Sequence, residues 1–143
     1  MSKTILCGDD EQDKLLPLKM KLEGKGYRVL EASTVEQVLE LLKTNIVDLV
    51  IMDIMMDPGE SLRQTMDAHT AGAQALPLIK QISPRTKIIC LSVISDHSIM
   101  KMVRKSGALF ISKGETSLRK VSEIIESKIT GIIEDVGAPR RKR

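Results

Sequence analysis

Asp9 and Asp10 follow the apolar run Thr4-Ile5-Leu6-Cys7, Asp53 closes Asp48-Leu49-Val50-Ile51-Met52, Ser92 ends a later run and Lys113 a last one. Three acids, a hydroxyl and an amine, each at the end of a strand-like segment, are suited to phosphoryl chemistry. Two carboxylates about 4 Å apart repel by roughly 4 kcal/mol at an effective dielectric of 20. Three in one crevice need a proton or a divalent cation, and a hard oxygen-seeking ion such as magnesium (Mg2+) suits carboxylates, a carbonyl and waters. A metal held there neutralises a phosphoryl group arriving at a free carboxylate oxygen. Lys113 would add a point charge to the phosphoryl oxygens and Ser92 a hydroxyl hydrogen bond. Each residue alone also has an ordinary explanation: Asp9 or Asp10 as a helix cap, Asp53 as the start of a turn, Ser92 and Lys113 as loop or solvated residues. Their joint placement at four strand ends argues for one site.

The elements that must position them alternate. The sequence predicts β1 at Lys3–Cys7, α1 at about Lys14–Glu23, β2 at Tyr27–Glu31 and α2 at about Val35–Lys43, with Ser33 or Thr34 as its cap. Pro17 fits α1 only in its first turn, and Gly24 and Gly26 stop that helix. Val35, Val38, Leu39 and Leu42 form one helical stripe. β3 at Leu49–Asp53 is apolar without alternation, as expected of a strand covered on both faces. Then come α3 at about Ala75–Ile82, β4 at Lys87–Ser92, α4 at about Ser98–Ser106, β5 at Leu109–Ser112 and α5 from Ser117 to about Gly131. This is an α/β fold, (βα)5, with no internal repeat. In such parallel sheets the carboxyl ends of the strands meet in one crevice.

The polar stretch from Met56 to Gly72 is long for a βα connection, which usually takes about 2–6 residues. Ser61–Ala68 could add a turn or two of helix there, and partner specificity is expected from it. His69, in this stretch, reads as surface, and His97 as the start of α4. Cys7 and Cys90 lie in strand segments and read as buried small hydrophobes, since no Cys-x-x-Cys or neighbouring histidine accompanies them.

Among the 143 residues, 42% are hydrophobic and 29% charged, fitting one globular domain. No apolar stretch approaches the roughly 20 residues needed to span a bilayer, and Met1-Ser2-Lys3 leads straight into a strand without room for a signal peptide; a cytoplasmic protein without a membrane partner is expected. The net charge of +3 misleads, because Arg140, Arg141, Lys142 and Arg143 carry four positive charges and leave the rest about one unit negative. With Tyr27 and Phe110 the only aromatics, a base-stacking platform is absent and nucleic acid is not an expected partner. A domain over residues 1–133 and a basic tail over 134–143 are expected.

At the level of motifs the chain resembles the receiver domain of two-component response regulators. The resemblance rests on Ile5-Leu6-Cys7-Gly8-Asp9-Asp10-Glu11, Asp48-Leu49-Val50-Ile51-Met52-Asp53, Ile88-Ile89-Cys90-Leu91-Ser92 and Gly107-Ala108-Leu109-Phe110-Ile111-Ser112-Lys113. It implies a flavodoxin-like doubly wound sheet in the order 2-1-3-4-5, with Asp53 accepting a phosphoryl group from a phosphohistidine donor. It further implies Mg2+ held directly by Asp10, mostly through water by Asp9, and by Asp53 and the Met55 carbonyl. Ser92 and Lys113 would be the switch hydroxyl and the phosphate-pairing lysine, and Phe110 the rotating aromatic that remodels the α4–β5–α5 face. The partners implied are a sensor histidine kinase or phosphotransfer protein, an effector docking on α4–β5–α5, and a second copy of the chain as a candidate. The residues after α5 are too few for an output domain, so a stand-alone receiver acting through protein contacts is expected. It would be a signalling phosphoacceptor and not an enzyme with its own substrate.

The chain also departs from the family's pattern. Gly114 follows Lys113 where proline is frequent, so the cis peptide common there is in doubt. Val93 follows Ser92 where a small residue is common, and its bulk would narrow access to Asp53. Met55 and Ile94 are apolar where polar side chains orient attacking water, so a long phosphoryl lifetime is expected. The rival reading is a degenerate receiver that binds proteins without being phosphorylated. A phosphatase of the haloacid-dehalogenase type would need Asp-x-Asp after β1, and a flavodoxin would need a phosphate loop where these acids repel anions.

Overall fold

Five strands pair in parallel in the order β2-β1-β3-β4-β5, as the resemblance implied. In the computed structural model, residues 2–93 and 96–131 are described. Ile94 and the basic tail lie outside them. β1 is Thr4–Gly8, α1 Gln12–Gly24, β2 Arg28–Ala32, α2 Val35–Thr44 and β3 Leu49–Asp53. A 3-10 turn at Glu60–Leu62 leads to α3, which runs as two segments, Ala71–Gln74 and Leu76–Ile82. β4 is Lys87–Ser92, α4 His97–Lys105, β5 Leu109–Ser112 and α5 Leu118–Thr130.

Alternation along the strands divides the core into two layers. Ile5, Cys7, Leu49, Ile51, Ile89, Leu91 and Ile111 face Leu15, Leu18 and Leu22 of α1 and Val121 and Ile125 of α5. Leu6, Val50, Met52, Ile88 and Cys90 face the other way, toward Val38 and Leu42 of α2, Leu76 and Ile79 of α3 and Val103 of α4. Burying each such side chain contributes about 1.5–3 kcal/mol. Apolar residues on both faces explain why β3 shows no polar alternation. Among the described residues no helix is long and apolar enough to cross a membrane.

Local signals decide the helix ends. Thr34 caps α2 by accepting from the Gln37 N–H, and Asp96 caps α4 by accepting from Ser98 and Ile99. Ser117 opens α5 and Gly131, at φ 74°, closes it. Two expectations are corrected. α1 begins at Gln12 and not near Lys14, so Pro17 lies inside the helix and not in its first turn. Its ring faces solvent, where water can satisfy the carbonyl left without a donor, while buried Leu15, Leu18 and Leu22 outweigh the local cost. α3 begins earlier than Ala75, because the small residues Ala71, Gly72 and Ala73 let a first turn press flat against the end of β3. The turn or two of helix expected within Ser61–Ala68 amounts to the short 3-10 turn.

Candidate functional site

Parallel register carries Asp9, Asp53 and Lys113 to one edge of the sheet. Met52 pairs beside Gly8, so Asp53 ends level with the acids after β1, and Ser92 pairs beside Ser112, the residue before Lys113. The Lys113 backbone is drawn in further by its N–H, which donates to the Ser92 carbonyl at 2.8 Å. From there its ammonium donates to Asp53 Oδ2 at 2.7 Å and to Asp9 Oδ2 at 3.1 Å. Residues 104 and 60 positions apart along the chain thus share one cation.

Asp9 is 1% exposed. Its Oδ1 accepts from the Glu11 N–H at 2.8 Å, and its own N–H donates to Ala32. Gln12 fastens the same corner, donating to the carbonyls of Asp9 and Ala32. Asp53 Oδ1 accepts from the Met55 N–H at 3.1 Å, and Asp10 Oδ2 from the Asp57 N–H at 3.1 Å. Desolvation pulls the Lys113 ammonium down, but its hydrogen bonds and charge contacts with Asp53 and Asp9 prevail and hold its pKa above the usual value. Desolvation pushes the Asp10 carboxyl up; Asp9, Asp53 and Glu11 add to this, against the opposing hydrogen bond from Asp57.

The donor set fits a divalent cation. Oxygens of Asp9, Asp10 and Glu11 lie within 4.8 Å of one another. Asp9, Asp10, Glu11 and Asp53 face the ammoniums of Lys113 and of Lys14, which pairs with Glu11 at 3.0 Å, and this leaves two negative charges unbalanced. Glu11 joins this cluster although sequence reasoning gave it no role; its adjacency to the acid pair was the available signal. Met55 lines the cleft above the cluster, with Val93 at its wall. The cleft encloses about 450 Å3. Val93 is 68% exposed, so it flanks the cleft mouth and does not plug it. Ser92 is buried at the end of β4. Phe110 sits on β5 beside Cys90, partly buried against the α4 side of the core.

Asp67, Ala68 and His69 also line this cleft. Nothing periodic marks them in the sequence; only the length of the β3–α3 connection hinted at them. Both cysteines are buried, and burial pushes each thiol up to about 12. No cis peptide bond occurs among the described residues.

Asp10→Asn tests the unbalanced charge. Because the folded pKa of Asp10 is raised, its ionised form lowers stability above that pKa, and the penalty vanishes as pH falls toward about 3.9. In chelator, the Asn variant should therefore unfold at higher urea than wild type, by no more than about 1 kcal/mol because the side chain is solvent-screened. With magnesium added, wild type should gain stability and the variant should not. A less stable variant in chelator would contradict the reading.

A five-stranded doubly wound sheet with an acidic crevice and a lysine at its carboxyl edge defines a class of signalling domain. The chain belongs to the response regulator receiver domain family, whose model matches residues 5–126. Over 104 residues it is 33% identical to the autoinducer 1 sensor kinase/phosphatase LuxN of Vibrio campbellii, covering 73% of this chain and 11% of that one. The chain spans 11–23% of the length of the first curated relatives it matches. A CheY-like receiver domain protein from Methanospirillum hungatei superposes with a TM-score of 0.78 at 23% identity, covering 92% and 96% of the two chains. A response regulator protein from Burkholderia pseudomallei superposes with a TM-score of 0.69 at 16% identity, covering 92% and 76%. Domains of this family are signalling phosphoacceptors of two-component systems.

Proposed function

We propose that Asp53 accepts the phosphoryl group and that residues 1–133 form the receiver that relays this event to partner proteins. The observation that carries the reading is the Lys113 ammonium shared by Asp53 and Asp9 at the base of an open cleft. A cation already paired with the acceptor carboxylate needs only a short swing to meet an arriving phosphoryl oxygen, so little reorganisation opposes the transfer. Asp53 Oδ1 is steadied by the Met55 N–H, and the carboxylate would attack phosphorus in line with the leaving nitrogen. The bond from phosphorus to the donor nitrogen breaks as the bond to the Asp53 oxygen forms.

Asp9, Asp10, Asp53 and the Met55 carbonyl would hold Mg2+, with Glu11 alongside. Bound there, the ion supplies charge neutralisation for the phosphoryl oxygens. The Burkholderia pseudomallei structure is described with a phosphorylated aspartic acid and a calcium ion, which supports the same chemistry on this fold. Ser92, buried at the end of β4, would hydrogen-bond a second phosphoryl oxygen. Phe110, packed against the α4 side of the core, is the residue whose turn would report the event on the α4–β5–α5 face. A sensor histidine kinase or phosphotransfer protein would donate, and an effector or a second copy would dock on that face.

Acetyl phosphate with magnesium should label wild type, and Asp53→Asn should abolish the label, read by phosphate-affinity electrophoresis. Equal signal in both proteins would remove Asp53 from the role, and no signal in either would favour the unphosphorylated binding module.

A further inference from the structure

The long β3–α3 connection is built into the site and does not merely close a gap. Its first part docks on α2, with the Val35 N–H donating to the Asp57 carbonyl and the Glu36 N–H to that of Pro58. Its last part is anchored to the strand that carries Asp53. The Gly72 N–H donates to the Ile54 carbonyl at 2.8 Å, and no atom larger than hydrogen fits between Gly72 and the Asp53 carbonyl. Between these anchors a tight turn displays His69. The His69 N–H donates to Asp67 Oδ1, the Thr70 N–H to the Asp67 carbonyl, and the Asp67 N–H to Gln74 Oε1 in α3. His69 therefore stands three residues from a fixed contact with the phosphoacceptor's own backbone, and it lines the cleft with Asp53 and Lys113.

Most other side chains on the cleft wall are poorly suited to handling a water proton; Asp67 is a carboxylate there, but its Oδ1 accepts from the His69 N–H. Met55 and Val93 are apolar, and Lys14 and Lys113 as ammoniums only donate. Asp10 and Glu11 belong to the cation cluster. A neutral imidazole accepts a proton at one nitrogen while donating at the other. It is also exposed, so the proton has a route to solvent.

We propose that His69 accepts the proton of the water that hydrolyses the Asp53 acyl phosphate, and so sets how long the phosphoryl group persists. This rests on Asp53 being the phosphoacceptor. The water oxygen bonds to phosphorus as the bond from phosphorus to the Asp53 oxygen breaks, and its electron pair returns to the carboxylate. The water proton passes to the imidazole and onward to solvent, and inorganic phosphate leaves. With Met55 and Val93 apolar on the cleft wall, His69 would supply most of the hydrolysis rate.

The test loads wild type, His69→Ala and His69→Gln with acetyl phosphate and magnesium, removes the donor, and follows decay by phosphate-affinity electrophoresis. The Ala variant should take up label within about twofold of the wild-type rate but lose it about tenfold more slowly or worse, toward the range of general-base effects. Gln should fall between them, and free imidazole in the buffer should speed decay of the Ala variant and leave wild type little changed. Decay of the Ala variant within twofold of wild type, or faster than it, would overturn the proposal. Wild type that takes no more label than Asp53→Asn would overturn the phosphoacceptor reading itself, a failure seen before any decay is measured.

Discussion

Gly72→Ala should destabilise the protein by about 3 kcal/mol or more, at the upper end of overpacking costs. A Cβ placed on Gly72 would come within 2.3 Å of the Asp53 carbonyl oxygen and 2.6 Å of the Ile54 Cα. Both are backbone atoms of the central strand and its exit, so no side chain can rotate out of the way. Gly72 lies in the first segment of α3, where the same change would ordinarily stabilise by about 1 kcal/mol. Packing thus reverses the sign of propensity. Gly24→Ala provides the contrast, since nothing lies within 4 Å of its added Cβ at the end of α1, and that variant should be neutral or slightly stabilised. Urea denaturation of the two variants measures this directly, and a Gly72→Ala protein as stable as wild type would disprove the close approach. Because the clash falls on Asp53 itself, acetyl phosphate labelling should weaken as well.

That contact illustrates where a sequence is readable and where it is not. The strands and most helices follow from period and punctuation, while the sheet order followed from the family resemblance: Thr34 before α2, Ser117 before α5 and Gly131 after it are local signals that the structure keeps. Pro17 could not be placed correctly by local rules, because the three leucines that hold α1 in place do so through a core shared with the sheet and α5. Gly72 looked like one more loop glycine. Its role depends on a surface supplied by residues almost twenty positions earlier, and no spacing rule encodes that.

The site divides in the same way. Asp9, Asp53 and Lys113 were legible because parallel strands of similar length bring their ends to one edge, and the register does so here. Asp67 and His69 were not, since a connection without period carries no information about which way its turn projects. The hydrogen bonds from the Asp67 and His69 N–H groups fix that turn, and they depend on a glutamine in the following helix. Sequence reasoning therefore found the floor of the cleft and missed its rim.

Lys113→Met should cost about 2–3 kcal/mol and leave the protein unusually responsive to magnesium. The substitution keeps most of the apolar stem but strips the donor from Asp9 Oδ2 and Asp53 Oδ2 together. Breaking a buried ion pair by removing one partner typically costs about 3–5 kcal/mol. The lower figure applies because the Lys113 side chain keeps 23% of its exposure. In wild type the raised lysine pKa makes this stabilisation complete below about pH 10.4 and lets it fade as pH rises through the folded value; the Met variant should lack that alkaline slope. Divalent charge supplied at the same carboxylates should then recover more stability in the variant than it adds to wild type. A cycle with Asp53→Asn separates the pair from its surroundings: if Lys113 acts through Asp53, the double variant should lose clearly less than the two single losses combined. Strict additivity, or a Lys113→Met protein within about 0.5 kcal/mol of wild type in chelator, would mean that the shared ammonium does not hold the crevice together.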